Sequence, residues 1–297
     1  MLVGMMSFLG LMLVGCGGSA TPPQPPIAAE RCCLHVVLLR SDGTVAEVTE
    51  GMEPRWLPGH HKLIFKRSSE TPAGQATQDI WITNRDGTDS TQLTFNGLDQ
   101  VRFIGVGGTP PLIAYADDVG IWTMTINGQG RHLIVRDNGI ADSLAVSPDG
   151  SKIAFATNAV PGHPYSLHVV NVLTKRQTIA FRGTIHTCSV DSPTWSPDSQ
   201  WVAFSLCTDT GGLNIDSGIW AVKPNGEGLR QILLNADSPA WSPNGEWIAF
   251  DTWKELPQTG EGKNAVGRIH PNGSDKELLT PFEYDPGDPG PLEALSW

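Results

Sequence analysis

The sequence predicts an all-β protein, a six-bladed β-propeller whose blades each contain four antiparallel strands. Three observations support this fold class. One hairpin signature recurs along the chain, its copies are spaced by more than forty residues, and a second hairpin signature alternates with it. A period in the forties built from strands and turns, with no helical pattern, is typical of propeller blades.

The clearest copy of the first signature is Pro-Ala-Trp-Ser-Pro-Asn-Gly-Glu-Trp-Ile-Ala-Phe at residues 239–250. One strand ends at Trp241, the Ser-Pro-Asn-Gly segment makes a turn, and a second strand returns from Trp247. Proline fixes φ at the first corner, asparagine tolerates the second, and Gly245 adopts the positive φ that follows. The lead residues of the copies, separated by 47, 43, 49, 46 and 56 positions, are Trp56, Phe103, Val146, Trp195, Trp241 and Trp297.

The second signature is an Asp-Gly or Asn-Gly turn between apolar runs, the strongest short-range signal for a β-hairpin. In one copy, Ile80-Trp81-Ile82 precedes the turn at Asp86-Gly87. In another, Ile219-Trp220 precedes the turn at Asn225-Gly226. Each period therefore holds two hairpins, which are the four strands of one blade.

The first and last segments of the repeating region each supply part of a blade. Residues 27–43 match the last three strands of a blade, and residues 293–297 match the start of a first strand. Five complete blades lie between them. Since a propeller closes its ring to avoid unpaired strand edges, we expect the two termini to share the sixth blade. A gene cut short after Trp297 is the alternative interpretation.

The recurring unit Trp-Ser-Pro-Asp-Gly-x-x-Ile-Ala-Phe resembles the PD40 (WD40-like) repeats of TolB-family propellers. The resemblance covers residues 27–297 and includes the copies that begin at Trp195 and Trp241. It implies a TolB-like propeller that binds an envelope protein or peptide. It does not extend to the N-terminal α/β domain through which TolB proteins engage the Tol system, so a role in that system does not follow from it.

Residues 1–15 form a short apolar run, which is typical of a secretory signal peptide. The segment that ends at Cys16 resembles the lipobox of bacterial lipoproteins, which implies cleavage before Cys16 and lipidation of that cysteine. Residues 16–26, rich in Pro and Gly, would then tether a propeller at residues 27–297. We therefore expect an extracytoplasmic protein, lipid-anchored to the cell membrane or the outer membrane. Because no Lys or Arg precedes Cys16, an upstream start and an uncleaved apolar N-terminus stay open.

The chain carries 20 Lys and Arg residues and 31 Asp and Glu residues, so its formal net charge is −11. No basic cluster stands out, and nucleic-acid binding requires basic groups that neutralise phosphates. We interpret the negative charge mainly as a contribution to solubility. We expect a monomer that does not bind nucleic acid.

An acidic residue recurs four positions before the lead residue of the repeats. Because the innermost strand of a blade starts at the mouth of the central channel, these carboxylates should surround one end of it. One interpretation is structural: each carboxylate accepts backbone N–H groups and fixes its loop. The other is functional: a site for a divalent cation (Ca or Mn), or a docking ring for a basic peptide. The ring consists of Glu53, which is one position off, and Asp99, Asp142, Asp191, Asp237 and Glu293.

The longest loops open on the same face as this ring. Function tends to reside on loops that a rigid scaffold carries, so we expect a ligand to bind here. These loops span residues 67–79, 206–218, 252–265 and 282–292.

Four cysteines follow Cys16, and an exported protein permits disulfides among them. Folding residues 193–204 about their turn brings Cys188 near Cys207, so we favour that bridge. Cys32 and Cys33 are adjacent, and are free, bonded to each other or joined elsewhere. The sequence has no CxxC pair that would support a zinc site.

The tryptophans are distributed evenly over the repeat positions, as a binding cage would not be. We therefore interpret them as core residues that pack one blade on the next. Small residues beside them should let neighbouring sheets approach, and these are Ala154, Ala203 and Ala249.

The sequence contains no GxSxG, HExxH, Walker or GxGxxG motif. We therefore favour a non-catalytic propeller that binds a protein or peptide through its acidic loop face. The alternative is a metal-dependent hydrolase or lyase acting on sugars or peptides, with its site at the channel mouth. His together with acidic residues at the starts of the inner strands would indicate such an enzyme. These positions are almost purely acidic, which favours the binding protein.

Overall fold

The computed structural model describes residues 25–31, 35–40, 44–70, 76–95, 101–136, 141–159, 164–209, 215–255, 262–280 and 292–297. Within these ranges the strands form six sheets, each of four antiparallel strands. No described helix is long and apolar enough to cross a membrane. The structure therefore confirms the predicted fold class, an all-β propeller of six blades.

The strands follow one another blade by blade. The closing blade begins with β1 (Ile27–Arg31), β2 (His35–Leu39) and β3 (Val45–Glu50). Blade 1 contains β4 (Met52–Trp56), β5 (Lys62–Glu70), β6 (Ala76–Asn84) and β7 (Thr91–Gln92). Blade 2 contains β8 (Phe103–Gly107), β9 (Leu112–Ala116), β10 (Gly120–Thr125) and β11 (His132–Arg136). Blade 3 contains β12 (Ala141–Val146), β13 (Lys152–Thr157), β14 (Ser166–Asn171) and β15 (Gln177–Arg182).

The last two complete blades and the closing strand follow. Blade 4 contains β16 (Thr187–Trp195), β17 (Val202–Asp209), β18 (Ile215–Val222) and β19 (Arg230–Leu234). Blade 5 contains β20 (Asp237–Trp241), β21 (Ile248–Glu255), β22 (Gly262–Ile269) and β23 (Glu277–Leu278). The strand β24 (Leu292–Ser296) completes the closing blade.

The closing blade joins the two ends of the described chain. Its strand order is β24-β1-β2-β3, and β24 pairs antiparallel with β1 so that Ala28 faces Ser296. The first strands of neighbouring blades contact one another around the ring, so they form its inner wall. Closure by a shared blade, predicted from the partial repeats at the two ends, is confirmed.

The first hairpins of blades 3, 4 and 5 are each fixed by a buried serine in the turn. The Ser242 hydroxyl accepts the N–H of Trp247 (2.9 Å) and donates to the side-chain oxygen of Asn244 (2.8 Å). That oxygen also accepts the N–H of Glu246 (3.1 Å), and Gly245 adopts φ +73°. The same arrangement holds the turns at Ser147 and Ser196, so the Ser-Pro-Asp or Ser-Pro-Asn sequence recurs because of this hydrogen-bond network.

The core is divided into six apolar clusters, one between each pair of neighbouring blades. Trp195 packs between blades 3 and 4, and Trp241 packs between blades 4 and 5. The three alanines predicted to allow close packing are completely buried in these clusters. The tryptophans at the ends of the first strands therefore hold blade against blade, as predicted.

Blade 2 has glycines where the other inner strands have larger residues. A Cβ atom on Gly107 would lie 2.4 Å from the Ser147 carbonyl oxygen, and one on Gly105 would lie 2.8 Å from Leu144. The glycines therefore let β8 lie close against β12, which is a structural reason for the glycine run in this degenerate repeat.

Candidate functional site at the channel mouth

The two ends of the channel differ in chemistry. At one end the first strands carry Glu53, Asp142, Asp191 and Asp237, and the loops between second and third strands open on this side. We call it the acidic face. At the other end lie the Ser-Pro turns that begin at Ser147, Ser196 and Ser242, and we call this end the turn face.

A β-bulge follows the acidic position in two inner strands. Ser192 and Ser238 adopt φ of +50° and +49°, and the register of β16 and β20 shifts there. In blade 1, Glu53 itself occupies the bulge, with φ +49°. The one-residue offset of Glu53 in the sequence therefore corresponds to a different backbone position, since bulges re-aim the side chains around them.

Three carboxylates converge at the mouth between blades 3 and 5. Burial, and then the negative charge of Asp237 and of Asp142, raise the pKa of Asp191 to about 6. Within the described residues, no Lys, Arg or His forms an ion pair with any of the three. We call Asp142, Asp191 and Asp237 the carboxylate cluster.

The carboxylate cluster makes few of the hydrogen bonds that a purely structural role requires. Asp237 accepts the N–H of the next residue, Ser238, at 2.9 Å. Asp191 interacts with the hydroxyls of Ser192 and Ser189. The described residues offer Asp142 no such bond, so acceptance of backbone N–H groups does not account for all three carboxylates.

The opposite side of the mouth contains two basic residues, Lys66 and Arg102. The Lys66 ammonium pairs with Glu53 and donates to the carbonyl of Arg102, and the whole Lys66 residue is 4% exposed. The Arg102 guanidinium donates to the Ala141 carbonyl at 2.9 Å. The negative charge at the mouth is therefore balanced at blade 1, where Lys66 pairs with Glu53, and concentrated at blades 3 to 5.

Lys66 and Arg102 were not among the site residues predicted from the sequence. A signal for Lys66 was present, because the residue after the second-strand aromatic is Lys only in blade 1 and is Ala, Ala, Ser and Asp in blades 2 to 5. Arg102 had no such signal, since nothing in its spacing relates it to the channel.

A rigid turn on the acidic face exposes an apolar side chain. Ile185 is 95% exposed, in a turn where the Thr187 N–H donates to the Thr184 carbonyl (3.1 Å). Beside it, His186 Nδ1 lies 3.0 Å from the Asp209 carbonyl oxygen, and the Asp209 N–H donates back to the His186 carbonyl. These two contacts between His186 and Asp209 therefore connect the ends of β16 and β17.

A disulfide joins the same two strands, between Cys188 and Cys207. This is the pair that the sequence analysis favours. Asp79, which the sequence analysis places in an exposed loop, is instead 3% exposed and accepts a hydrogen bond from the Thr94 hydroxyl (3.0 Å). Its strand β6 extends into the region predicted as a loop, which buries the carboxylate.

Several predicted site residues lie outside the described part of the chain. They are Cys16, Cys32, Cys33, Asp99 and the side chain of Glu293. The described residues contain no group of three or more His, Cys, Asp or Glu side chains arranged to hold a metal ion. The full six-member ring and its cation site therefore stay predictions.

No protein-family model and no curated protein matches this sequence, whereas many solved structures share its fold. TolB from Acinetobacter baumannii has a TM-score of 0.69 at 16% identity, over 92% of this chain and 66% of that chain. This chain thus spans just under two thirds of that TolB. A putative TolB from Agrobacterium tumefaciens has a TM-score of 0.62 at 17% identity, over 86% and 88% of the two chains. Oligogalacturonate lyase in complex with manganese has a TM-score of 0.54 at 12% identity, over 87% and 74%. At these identities the likeness shows the fold, a TolB-like propeller.

Proposed function

We propose that this protein is a non-catalytic, lipid-anchored propeller that binds an envelope protein or peptide through its acidic face, outside the cytoplasm. The observation that carries the proposal is the carboxylate cluster, whose three members have no cationic partner among the described residues. A basic side chain of a partner would relieve the repulsion among these carboxylates, which favours its binding.

Exposed apolar side chains on the same face support a protein partner. They lie at the ends of fourth strands or in loops around the mouth, where apolar anchors surrounded by polar groups are typical of protein interfaces. These residues are Phe95, Val119, Ile185 and Leu234, with exposures of 61%, 40%, 95% and 48%.

The uneven distribution of acidic residues around the channel mouth supports one orientation of the bound partner. Its basic group would lie over the carboxylate cluster, because the carboxylate of blade 1, Glu53, is already paired with Lys66. The fold likeness to TolB and the lipobox-like segment at Cys16 support an envelope location for this interaction.

Affinity capture from a solubilised bacterial envelope tests the proposal. We expect the protein to capture a partner, and the triple variant Asp142→Asn, Asp191→Asn, Asp237→Asn to lose at least ten-fold in the captured amount, since each charge pair at an interface contributes on the order of 1 kcal/mol or more. The matched control removes three exposed carboxylates from the turn face by Glu227→Gln, Glu246→Gln and Asp275→Asn. Equal capture by both triple variants would contradict a role for the acidic face.

A metal-dependent hydrolase or lyase acting on sugars or peptides at the channel mouth is the second candidate. It is supported by the fold shared with oligogalacturonate lyase, whose solved structure contains manganese. Titration with manganese or calcium, followed by thermal unfolding and an assay on oligogalacturonate, separates the two candidates. A rise in melting temperature with turnover would favour the enzyme, whereas an unchanged melting temperature would remove the metal site.

A further inference from the structure

The turn between β14 and β15 carries an exposed apolar side chain on the turn face. Leu173, at the tip of this turn, is 89% exposed. The Asn171 side-chain oxygen accepts the N–H groups of Leu173 (3.1 Å) and Thr174 (2.8 Å), which holds the turn in one conformation. Because the side chain lies in water in the free protein, the favourable free energy of its burial is available to a partner that covers it.

Basic side chains surround Leu173. Lys175 and Arg176 follow it in the same turn, and within the described residues the Arg176 guanidinium has no hydrogen bond or ion pair. The first-hairpin turn of the blade lies beside this turn, since the N–H of the residue before Leu173 donates to the Ser151 carbonyl (2.9 Å). That neighbouring turn leads into Lys152. Leu173 is therefore exposed beside three basic side chains.

The adjacent blade 4 adds to this surface. Leu229, which is 43% exposed, lies in the turn between β18 and β19. In and beside the turns of blades 3 and 4 on this face, the basic residues are Lys152, Lys175, Arg176, Lys223 and Arg230, and the acidic residues are Asp149, Asp198 and Glu227. This part of the surface is therefore basic, although the whole chain has a net charge of −11. Exposed apolar side chains among basic ones are attracted to a bilayer that contains anionic lipids.

The chain enters the propeller at the same face. The indole N–H groups of Trp56 and Trp297 donate to the carbonyls of Pro26 (3.0 Å) and Pro25 (2.9 Å). Residues 1–15 are apolar, so a lipid on Cys16 and an uncleaved apolar N-terminus would both place a membrane anchor shortly before Pro25. An anchor of either kind is connected to the turn face by a short segment, which keeps this face near the bilayer.

We propose that the turn face of blades 3 and 4 lies against an anionic bilayer, with the Leu173 side chain among the lipid headgroups and Lys175 and Arg176 beside lipid phosphates. The contact rests on the membrane anchoring in the proposed function. One leucine and a few basic groups do not bind a bilayer stably by themselves, but an anchor gives them a high effective concentration at its surface. The contact therefore determines which side of the anchored propeller faces the lipid.

Hydrogen exchange of the full-length, anchored protein tests the proposal. The protein is reconstituted in vesicles of equal phosphatidylglycerol and phosphatidylcholine, in vesicles of phosphatidylcholine alone, and in detergent micelles. We expect the amides of residues 172–176 to exchange at least five-fold more slowly in the anionic vesicles than in the micelles, since one basic group near an anionic surface favours the bound state about five-fold. The slowing should be smaller in the neutral vesicles. The turn at residues 184–187, on the acidic face, should exchange equally in all three samples.

A double variant, Leu173→Ser with Arg176→Gln, should abolish this slowing. The matched control is Ile185→Ser with Arg136→Gln, which removes one exposed apolar side chain and one positive charge from the acidic face and should leave the slowing unchanged. Because all four side chains are exposed, neither double variant should lose stability, as measured by thermal unfolding. An equal loss of slowing in the two variants would contradict the proposal.

Two further results would overturn the contact in distinguishable ways. Equal exchange of residues 172–176 in vesicles and micelles, for protein that sediments with the vesicles, would remove the contact and leave the anchoring intact. Protein that stays in the supernatant would overturn the anchoring and the contact together. Slowing that increases with protein concentration in micelles would identify a second copy of the chain as the occupant of this face, which would also overturn the proposal.

Discussion

Asp191 lies in the middle of β16, where burial and two neighbouring carboxylates raise its pKa to about 6 from an ordinary value of 3.8. The folded state therefore binds this proton more tightly than the unfolded state does. Consequently the free energy of unfolding falls as the pH rises from about 4 to about 6, and the unfavourable contribution is fully present above pH 6. The residue destabilises the fold at neutral pH, which suits a group retained for binding.

Asp191→Asn should raise the free energy of unfolding at pH 7.5, by up to roughly 3 kcal/mol for a shift of about two pKa units. The gain should disappear near pH 4, where the wild-type carboxyl is protonated. Urea unfolding at both pH values measures it, with Glu227→Gln as the control that removes an exposed charge from the turn face. A variant less stable than the wild type at pH 7.5 would instead support the structural interpretation, in which the carboxylate fixes its loop.

The chemistry of single residues was partly predictable. The repeat spacing placed Asp142, Asp191 and Asp237 at one end of the channel, because strand order alone determines where the inner strands begin. It gave no information about the raised pKa of Asp191 or about Lys66, since both depend on which side chains meet across different blades.

At the scale of the element, the first hairpins of blades 3, 4 and 5 each depend on a turn serine that is at most 3% exposed. The sequence predicted the turn from Pro, Asn and Gly, whose backbone preferences are local. The role of the serine was not predicted, because its hydroxyl acts on an N–H five residues further along the chain.

Ser242→Ala should lower the free energy of unfolding by roughly 1–3 kcal/mol, because it removes an acceptor of the buried turn and leaves the Trp247 N–H with fewer partners. Urea unfolding monitored by tryptophan fluorescence measures the change. Ser274→Ala, in an exposed turn of the same blade, should change the stability by less than about 0.5 kcal/mol. Equal effects of the two substitutions would show that burial of the hydroxyl is unimportant.

At the scale of the whole molecule, the ring is closed by pairing between β24 and β1. The repeat count predicted this closure, because the two partial repeats add up to one blade and a propeller leaves no open edge. The exposure of Leu173 among basic side chains was beyond prediction, since it depends on how the turns of neighbouring blades pack.

Deletion of residues 292–297 should expose the edge of β1 and remove one inner strand from the ring. We expect a markedly lower unfolding midpoint and self-association through the open edge, measured by urea unfolding and by size-exclusion chromatography. Deletion of residues 17–22, six residues of the tether predicted from the sequence, is the control and should change neither property. A monomer of unchanged stability after the first deletion would show that the closing strand is dispensable.

The hydrogen bonds from Trp56 and Trp297 to Pro26 and Pro25 hold the beginning of the propeller at its turn face. If lipid is attached at Cys16, the intervening segment gives a reach of roughly 30 Å at about 3 Å per residue. The turn face would then look toward the bilayer, and the acidic face would look away from it. A partner of the acidic face would then approach from the side of the propeller that faces away from the membrane.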